Sequence, residues 1–508
     1  MSIVFSHVGF EWPTGHVVFQ GINLSLVNKI YALVGPNGVG KTTLARIIVG
    51  ELNPSKGTIA RIPGSIILFQ QSAYPPPVTI EEFLADGPGR YAYAAVVMQL
   101  LGDLPLERSC VQLSGGEWTR VRLAKAVASG AGFIILDEPT NHLDREGRWA
   151  VRTFLERYSG GVLLISHDRK LLTLAGEILE LSGKGLSVFG GCWTEYLSQR
   201  EAERDRLEAE LAKAKQARAA RERDRHEKLM RQEKRARQGK EDGIKSNLPK
   251  IIRGARKRAA QVTLGKIDVS SREEVDCAVR ETWEAYQSLK VDPVMYARLP
   301  QPQLSSGRLI MEASDFNFRY LGASRDLFAQ DLNFAFRTPA RVVIRGANGS
   351  GKSTLLKCLF GQALRGVSRG HLKLGPRRAV YLSQEHTLLD EELSVLENVR
   401  ERGRVDETEG RALLAMFLFA ADRVHQTVST LSGGERLRAA LAKALIAMPP
   451  AELLVLDEPT NNLDLPNIEF LERFLRHYKG SLVVVSHDQV FLDHLDPTDE
   501  VELMKRHP

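Results

Sequence analysis

The feature that most constrains this 508-residue chain is an internal repeat. Four short motifs occur once in each half, in the same order, and the distance between matched copies grows only from 311 to 320 residues. Four matched blocks in register do not arise by chance, so the sequence predicts two copies of one domain, with small insertions in the second. The matched segments are 35–43 with 346–354, 113–117 with 431–435, 136–141 with 456–461, and 166–168 with 486–488.

The residues around these motifs are typical of an α/β nucleotide-binding sheet. The apolar run 30–34 leads straight into the glycine-rich motif, and residues 43–48 after it have a helical pattern. The runs 133–136 and 162–165 are continuously apolar, as expected of parallel strands that are buried on both faces. The second copy has matching runs at 341–344, 453–456 and 482–485. We therefore predict two α/β domains, at 1–194 and 305–508.

The segment 195–304 between them has a different character. Residues 195–237 are rich in Arg, Glu, Ala, Lys and Leu and contain no proline or glycine, which predicts one long helix. Gly239, Gly243, Asn247 and Pro249 then predict a turn region. Between 275 and 289, apolar residues recur at three- and four-residue spacing and predict a returning helix. We therefore predict a long α-helical hairpin linker.

The excess positive charge lies near the tip of this hairpin. The chain has 69 basic and 62 acidic residues, a net charge of +7. Residues 228–258 alone contain 12 basic and 3 acidic residues, more than the whole excess. A basic segment on a near-neutral body indicates an element that binds a polyanion, the alternative being an ordinary solvated helix. We adopt that alternative for the Glu-rich residues 195–210.

The glycine-rich motif has the chemistry of a phosphate-binding loop. Glycines let backbone N–H groups turn towards phosphate oxygens, and the following helix adds its positive end. Lys41 and Lys352 should reach the β- and γ-phosphates, and Thr42 and Ser353 should offer hydroxyl groups to Mg²⁺. A tight turn with an incidental lysine is the alternative. The predicted nucleotide-binding residues of the loops are Gly35, Pro36, Asn37, Gly38, Val39, Gly40, Lys41, Thr42 and Thr43, and Gly346, Ala347, Asn348, Gly349, Ser350, Gly351, Lys352, Ser353 and Thr354.

Paired carboxylates follow an apolar strand in each copy. The first of each pair, Asp137 or Asp457, is expected to hold Mg²⁺ through water. The second, Glu138 or Glu458, is expected to polarise the attacking water as a general base. Alone, such a pair is often only a solvated strand end. Behind a glycine loop in the same copy, it predicts ATP hydrolysis.

Together, the glycine loop, Leu-Ser-Gly-Gly-Glu, Asp-Glu-Pro-Thr-Asn and Ser-His-Asp resemble the motifs of the ATP-binding cassette (ABC) family. The resemblance implies two cassettes in a head-to-tail sandwich, with two ATP molecules and Mg²⁺ at the interface. Lys41 would face the Ser-Gly-Gly of the second copy and Lys352 that of the first. Those residues are Ser432, Gly433 and Gly434, and Ser114, Gly115 and Gly116. Both copies keep every catalytic residue, which implies two hydrolysis-competent sites.

The same resemblance assigns further roles. His167 and His487 match the switch histidine that contacts the γ-phosphate, although a lone histidine after a strand is usually structural. Gln71 and Gln384 match a glutamine that contacts metal and water, with Gln70 as the alternative in the first copy. The remaining matches are Asp144 and Asp464 in the loop that crosses the interface, and Phe10 or Trp12 and Tyr320 as the aromatic residue that stacks on adenine.

The arrangement of the chain resembles the ABC-F subfamily, tandem cassettes that act on ribosomes. Both cassettes lie in one chain without an apolar membrane-spanning run, residues 137–144 read Asp-Glu-Pro-Thr-Asn-His-Leu-Asp, and a charged hairpin separates the cassettes. This resemblance implies a cytoplasmic monomer whose hairpin reaches the tRNA and peptidyl-transferase region, either to regulate translation or to protect against antibiotics. The predicted contacts to ribosomal RNA and tRNA are Lys245, Lys250, Arg253, Arg256, Lys257 and Arg258.

Two other functional classes remain as alternatives. A subunit that energises a membrane transporter would use the same cassettes. A DNA-associated ABC ATPase is disfavoured because the repair type carries CxxC pairs, and the four cysteines here form none. Two departures from the ABC-F pattern are expected to matter. Lys41 and Ser114 are only 73 residues apart, against 80 for Lys352 and Ser432, which leaves no room for an inserted arm. The C-terminal extension of some members is also expected to be missing.

Overall fold

The structure is a computed structural model, and its described residues form two compact units. The first unit consists of Met1–Tyr196 and Val294–Pro508, and the second of Leu197–Pro293. The residues described are 2–61, 66–69, 74–85, 94–141, 143, 145–183, 185–245, 274–275, 277–282, 301–302, 304–383, 388–402, 405–419, 421–446, 450–461 and 463–504.

The first repeat alternates strands and helices in the order expected of an α/β domain. Its strands are β1 (Ile3–Glu11), β2 (Val17–Leu26), β3 (Ile30–Val34), β4 (Lys56–Ala60), β5 (Ile66–Phe69), β6 (Phe133–Asp137), β7 (Gly161–Ile165), β8 (Glu177–Ser182) and β9 (Gly185–Gly190). Its helices are α1 (Lys41–Val49), α2 (Ile80–Leu84), α3 (Ala94–Leu101), α4 (Gly115–Ala128), α5 (Arg145–Arg157) and α6 (Arg169–Leu172). Helix α7 (Trp193–Lys245) follows it.

The second repeat has the same plan. Its strands are β10 (Leu309–Tyr320), β11 (Leu332–Arg337), β12 (Arg341–Arg345), β13 (Gly366–Leu374), β14 (Ala379–Leu382), β15 (Leu453–Asp457), β16 (Ser481–Val485) and β17 (Asp499–Glu502). Its helices are α8 (Lys352–Leu359), α9 (Val395–Arg402), α10 (Glu407–Ala415), α11 (Gly433–Ile446), α12 (Leu465–His477) and α13 (Gln489–Asp493).

A mainly parallel sheet forms the centre of each repeat. Among the described strands, the order is β5-β6-β7-β3-β8-β9 in the first repeat and β14-β15-β16-β12-β17 in the second. Strands β6, β7, β15 and β16 are buried along their whole length, which confirms the prediction from their continuous apolar sequence. Because β3 and β12 lie inside these sheets, each glycine loop leaves from the carboxyl end of an interior strand.

An antiparallel sheet covers one side of each repeat. In the described residues these sheets have the orders β2-β1-β4 and β11-β10-β13. Apolar residues of β1 and β2, including Phe5, Phe19 and Leu26, form one core with α1 and the central strands. Phe318 and Phe328 contribute to the matching core of the second repeat. This packing fixes the start of the first helix, α1 or α8, against the sheet that carries the carboxylates predicted to be catalytic.

Helix α7 confirms the predicted long helix but ends later than expected. It contains 53 residues and is therefore about 80 Å long at 1.5 Å per residue. The prediction of a turn from Gly239 was wrong, because the helix runs through Gly239 and Gly243 to Lys245. A glycine costs a helix about 1 kcal/mol relative to alanine and does not break its hydrogen bonds, whereas Pro249 would.

The described contacts of the second unit show that the chain returns along α7. Arg221 lies 3.2 Å from Glu281, and the Thr282 hydroxyl donates to the Ala214 carbonyl at 3.4 Å. Asp224, and less strongly Glu274, raise the pKa of Lys228. As the residue number falls from 282 to 274, the partner on α7 moves from 214 to 228, so the two segments are antiparallel.

Most of the predicted RNA contacts cannot be placed. Lys245 is the last residue of α7. The other five, Lys250, Arg253, Arg256, Lys257 and Arg258, lie outside the described residues. Within the part of the chain that the structure describes, no helix has both the length and the apolar composition needed to span a bilayer.

Candidate functional site

Left-handed glycines shape both phosphate-binding loops. Gly40 and Gly351 directly precede the first helix of their repeats, with φ of 104° and 94°. A Cβ at Gly40 would lie 2.3 Å from a side-chain carbon of Val18, and one at Gly351 would lie 2.8 Å from Phe328. Any other residue would therefore be strained and would also collide with the adjacent strand or loop. Both helices begin at the loop, where their first backbone N–H groups have no partner within the helix.

The loop lysines are folded back onto their own loops. The Lys41 Nζ atom donates to the carbonyls of Gly35 and Pro36, at 2.7 and 3.1 Å. Lys352 makes the same two contacts with the first two residues of the second loop, also at 2.7 and 3.1 Å. Burial lowers the pKa of Lys41, and the Glu138 carboxyl group opposes that shift. Each ammonium group is thus held at the loop and can exchange carbonyl oxygens for phosphate oxygens.

The carboxylates predicted to hold metal differ in their partners. In the first repeat, the Thr42 hydroxyl donates to Asp137 Oδ2 at 2.8 Å, which brings two predicted metal ligands together. Burial raises the pKa of Asp137, whereas the hydrogen bond from Thr42 lowers it. In the second repeat, Asp457 Oδ2 accepts a hydrogen bond from the Tyr381 hydroxyl at 2.9 Å. Asp457 Oδ1 is buried and makes no hydrogen bond within the described residues.

Tyr381 is a site residue that our sequence analysis missed. It pairs with Val455 in the parallel ladder, and the residue with the matching register in the first repeat is Leu68, which pairs with Ile135. Leucine offers no hydroxyl group, so of these two described positions only Tyr381 can donate to the carboxylate predicted to hold metal. Aligning the two copies along β5 and β14 would have revealed the difference.

The predicted general bases have an unusual backbone conformation. Glu138 and Glu458 have φ of 48° and 49°, in the left-handed region that non-glycine residues rarely adopt. Each backbone N–H donates at 2.8 Å to the carbonyl of the last residue of the neighbouring strand, Ile165 or Val485. This conformation directs each carboxyl group at the switch histidine of its own repeat. Glu138 Oε1 lies 3.3 Å from His167 Nε2, and the second repeat has the same distance to His487.

Burial favours the uncharged forms of Glu138, His167 and Glu458 by shifting their pKa values. Desolvation, together with the Asp137 carboxylate, raises the pKa of Glu138 to about 8. Desolvation lowers the pKa of His167 to about 3, so its imidazole is uncharged at neutral pH. Burial also raises the pKa of Glu458, to about 7, against the opposing charges of Lys352 and Arg148. Each predicted acid–base pair is therefore in contact within its own repeat.

The Leu-Ser-Gly-Gly-Glu motifs begin the helices α4 and α11. The Ser114 backbone N–H donates to the Glu117 carboxylate at 2.8 Å, and the Glu117 N–H donates back to the serine hydroxyl at 3.3 Å. Ser432 and Glu435 repeat this exchange at 2.9 and 3.4 Å. Serine followed three residues later by glutamate is the capping-box signature. Ser114 and Ser432 are exposed, so each helix starts at the surface with a serine hydroxyl beside its free N–H groups.

The two repeats meet next to the first phosphate-binding loop. The Asn37 backbone N–H donates to Asp464 Oδ2 at 2.8 Å, a contact between residues 427 positions apart. Asp464 also caps helix α12, because it accepts a hydrogen bond from the Asn467 N–H at 3.1 Å. A cavity of about 190 Å³ lies beside this contact and is lined by Asn37, Glu138, Thr140, Asn141, Arg148, His167 and Asp168 of the first repeat and Thr460, Leu463, Ile468 and Asp488 of the second.

A buried ion pair also joins the repeats, and sequence reasoning missed it. Arg169 lies 2.7 Å from Glu472 Oε1, and its second terminal nitrogen donates to Oε2 at 3.3 Å. The two side chains are only 10% and 9% exposed. His494 Nδ1 lies 3.1 Å from the same carboxylate. No local pattern could reveal this contact, since its partners are 303 residues apart.

The adenine-stacking candidates lie at equivalent positions. Trp12 packs edge-on against Phe10 at 4.9 Å, and Tyr320 packs edge-on against Phe318 at 5.0 Å. Phe10 is buried in the core, whereas Trp12 is 37% exposed and Tyr320 is 39% exposed. The similar position and exposure of Trp12 and Tyr320 therefore favour Trp12 over Phe10 as the residue that stacks on adenine. The predicted residues Gln71, Gln384 and Asp144, and the alternative Gln70, lie outside the described residues.

Comparisons with known proteins agree with this architecture. A family model described as ABC transporter matches residues 19–141 and 329–461. The chain is 31% identical to the ribosome protection protein VmlR of Bacillus subtilis, over 97% of this chain and 85% of that protein. It is 30% identical to the ATP-binding protein Uup of Caulobacter vibrioides, over 94% of this chain and 73% of that protein.

A solved structure of the RNase-L inhibitor has the same fold. It aligns with a TM-score of 0.58 at 19% identity and covers 96% of this chain and 86% of that one. Two family matches, one in each repeat, and relatives that extend over nearly the whole chain agree with the paired loops and carboxylates. This chain therefore belongs to the ABC family, as a tandem-cassette ATPase of the ABC-F type.

Proposed function

We propose that this protein binds ATP at two sites between its cassettes and hydrolyses it to control how long it remains bound to the ribosome. ATP binding closes the cassettes and holds the hairpin of the second unit against ribosomal RNA and tRNA. Hydrolysis to ADP and phosphate then releases the protein. The Ser-Gly-Gly segments Ser114–Gly116 and Ser432–Gly434, whose serines are exposed, complete the site of the opposite cassette in this proposal.

Each site uses the residues that its loop and strands bring together. Lys41 and Lys352 exchange their loop carbonyls for the β- and γ-phosphates, since an ammonium group binds phosphate oxygens strongly. Glu138 and Glu458 accept a proton from the attacking water once their carboxyl groups are ionised. The switch histidines, which lie 3.3 Å from these carboxyl groups, orient the γ-phosphate.

The residues around the metal-binding carboxylates fit Mg²⁺. Thr42 Oγ1 and Asp137 Oδ2 are 2.8 Å apart, and Mg²⁺ prefers hydroxyl, carboxylate and phosphate oxygens. Asp457 Oδ1, which is buried without a hydrogen bond, offers such an oxygen in the second cassette. Ser353 would supply the second hydroxyl. When bound, Mg²⁺ neutralises phosphate charge.

The long helix between two complete cassettes is the observation that carries the ribosome proposal. A 53-residue helix with an antiparallel return is not needed for ATP hydrolysis, so it indicates a partner that lies beyond the cassettes. The chain is similar over 97% of its length to a protein whose name describes ribosome protection. The local excess of positive charge in residues 228–258 suits an RNA partner.

A transporter ATPase is the second candidate, since the matching family model is described as ABC transporter. Sedimentation of the Glu138→Gln, Glu458→Gln double variant with 70S ribosomes in ATP separates the two functions. The variant should bind ATP without hydrolysing it and pellet with ribosomes. The same variant in ADP, and a form that lacks residues 246–260, are the controls and should stay in the supernatant. If the double variant does not sediment with ribosomes and the wild type floats with membranes, the transporter function would be favoured.

A further inference from the structure

A single arginine lies where the two catalytic centres approach each other. Arg148, on helix α5, lines the cavity between the repeats and is only 20% exposed. Its terminal nitrogen lies 3.2 Å from Asp168 Oδ2. Its Nε donates to the Leu143 carbonyl, also at 3.2 Å. The guanidinium group therefore joins two segments of the first repeat that are distant in sequence.

Both segments bear on catalysis. Asp168 directly follows His167, the switch histidine that faces the general base Glu138. Leu143 belongs to the loop between the catalytic strand and helix α5, the segment whose counterpart in the second repeat contains Asp464 and contacts the opposite phosphate-binding loop. Arg148 thus connects the segment that senses the γ-phosphate in its own cassette to the segment that faces the other cassette.

The second cassette also contributes to the walls of this cavity. Thr460 lies two residues after the general base Glu458, and Asp488 directly follows His487. The positive charge of Arg148 acts on both Glu458 and Asp488. Arg148 is therefore within electrostatic range of the catalytic segments of both cassettes.

The second repeat has no matching arginine. Matched motifs from the catalytic carboxylates to the switch histidines are 320 residues apart throughout, so residue 468 corresponds to Arg148. That residue is Ile468, which lines the same cavity and has no polar side-chain atom to bind Asp488. Asp488 caps its own short helix by accepting a hydrogen bond from the Phe491 backbone N–H at 3.1 Å, as Asp168 does from the Lys170 N–H at 3.0 Å. Among the described residues, no arginine at the position of Arg148 ties the switch segment of the second cassette to its interface loop.

We propose that Arg148 is a positioning residue that couples the switch segment of the first cassette to its interface loop and so makes the two ATP sites inequivalent. The Glu138 site depends on this connection, because Asp168 fixes the backbone on which His167 lies. The Glu458 site lacks these hydrogen bonds from an arginine and depends on Arg148 only through the weaker electrostatic effect of its charge across the cavity. This inference requires the ATPase part of the proposed function and is independent of the ribosome.

The test measures each site with the other silenced. Glu458→Gln leaves turnover to the Glu138 site, and Glu138→Gln leaves it to the Glu458 site. Arg148→Ile, which installs the residue of the second cassette, is added to each background in the full-length protein, and ATP turnover is measured without ribosomes. We expect kcat to fall about tenfold at the Glu138 site, with KM changed less than about twofold. At the Glu458 site we expect kcat to change less than about threefold.

Two further variants separate positioning from loss of structure. Arg148→Lys keeps the charge but can satisfy only one of the two acceptors at a time, so it should recover part of the rate at the Glu138 site. Arg152→Ala changes an exposed arginine one helical turn later, which pairs with Glu156, and should leave both sites unchanged. Equal losses in both backgrounds, a larger loss at the Glu458 site, or no loss at the Glu138 site would each overturn the proposal.

Discussion

The buried pair Arg169–Glu472 should contribute strongly to holding the two cassettes together. Both side chains are about nine-tenths buried, and two nitrogens of Arg169 contact both oxygens of Glu472, at 2.7 and 3.3 Å. Replacing either partner leaves a buried, uncompensated charge, which costs about 3–5 kcal/mol in proteins. For Arg169→Ala we expect the lower end, about 3 kcal/mol, because His494 lies 3.1 Å from Glu472 and can supply some positive charge.

A double-mutant cycle measures the pair itself. Arg169→Ala, Glu472→Ala and the double variant are unfolded in urea, and the free energy of unfolding is obtained by linear extrapolation. The double variant should be more stable than the sum of the single losses predicts, by about 2–3 kcal/mol. The exposed pair Arg152–Glu156, on helix α5, is the matched control, with an expected coupling of about 0.3–0.5 kcal/mol. A coupling energy no larger than that of the control pair would refute the claim that the buried Arg169–Glu472 pair holds the cassettes together.

Two further predictions concern the nucleotide sites. Gly40→Ala should weaken binding of a fluorescent ATP analogue at the first site by more than about tenfold, since its Cβ would lie 2.3 Å from Val18. Gly15→Ala, also left-handed but with open space around its Cβ, should bind normally, and equal weakening by both would contradict the clash. Tyr381→Phe should raise the Mg²⁺ concentration needed for half-maximal turnover at the Glu458 site by about threefold, because Asp457 loses its hydroxyl donor. The Glu138 site should be unaffected, and Tyr478→Phe, which removes a hydroxyl bonded to the Ala451 carbonyl, is the control.

The sequence predicted those features that depend on short, local patterns of residues. The apolar runs that became β6 and β7 are buried on both faces. Glu138 directly follows β6, and His167, its partner in the predicted acid–base pair, lies two residues after the end of β7. The capping box that begins α4 is equally local, since serine and glutamate are three residues apart, but our sequence analysis did not predict it. The same reasoning failed at the end of α7, where Gly239 and Gly243 were given more weight than the absence of proline.

The remaining site residues depend on contacts that no local pattern encodes. Arg169 and Glu472 meet across 303 residues, and Asn37 and Asp464 across 427. Arg169 and Glu472 would each pass for a solvated surface residue when seen in its own segment, whereas the family resemblance had already assigned Asp464 to the interface. Only the packing of one repeat on the other brings them together. Comparing the two copies position by position would have singled out residue 148, an arginine where the other copy has isoleucine.

The central claim is that ATP holds this protein on the ribosome with its hairpin among the RNA and tRNA. Electron cryo-microscopy of the Glu138→Gln, Glu458→Gln double variant with 70S ribosomes and ATP tests it most directly. The account predicts closed cassettes on the ribosome, nucleotide at both sites, and density for the long helix α7 that enters the tRNA and peptidyl-transferase region. Ribosomes that carry no cassettes, or cassettes whose helix α7 projects into solvent away from tRNA, would contradict it.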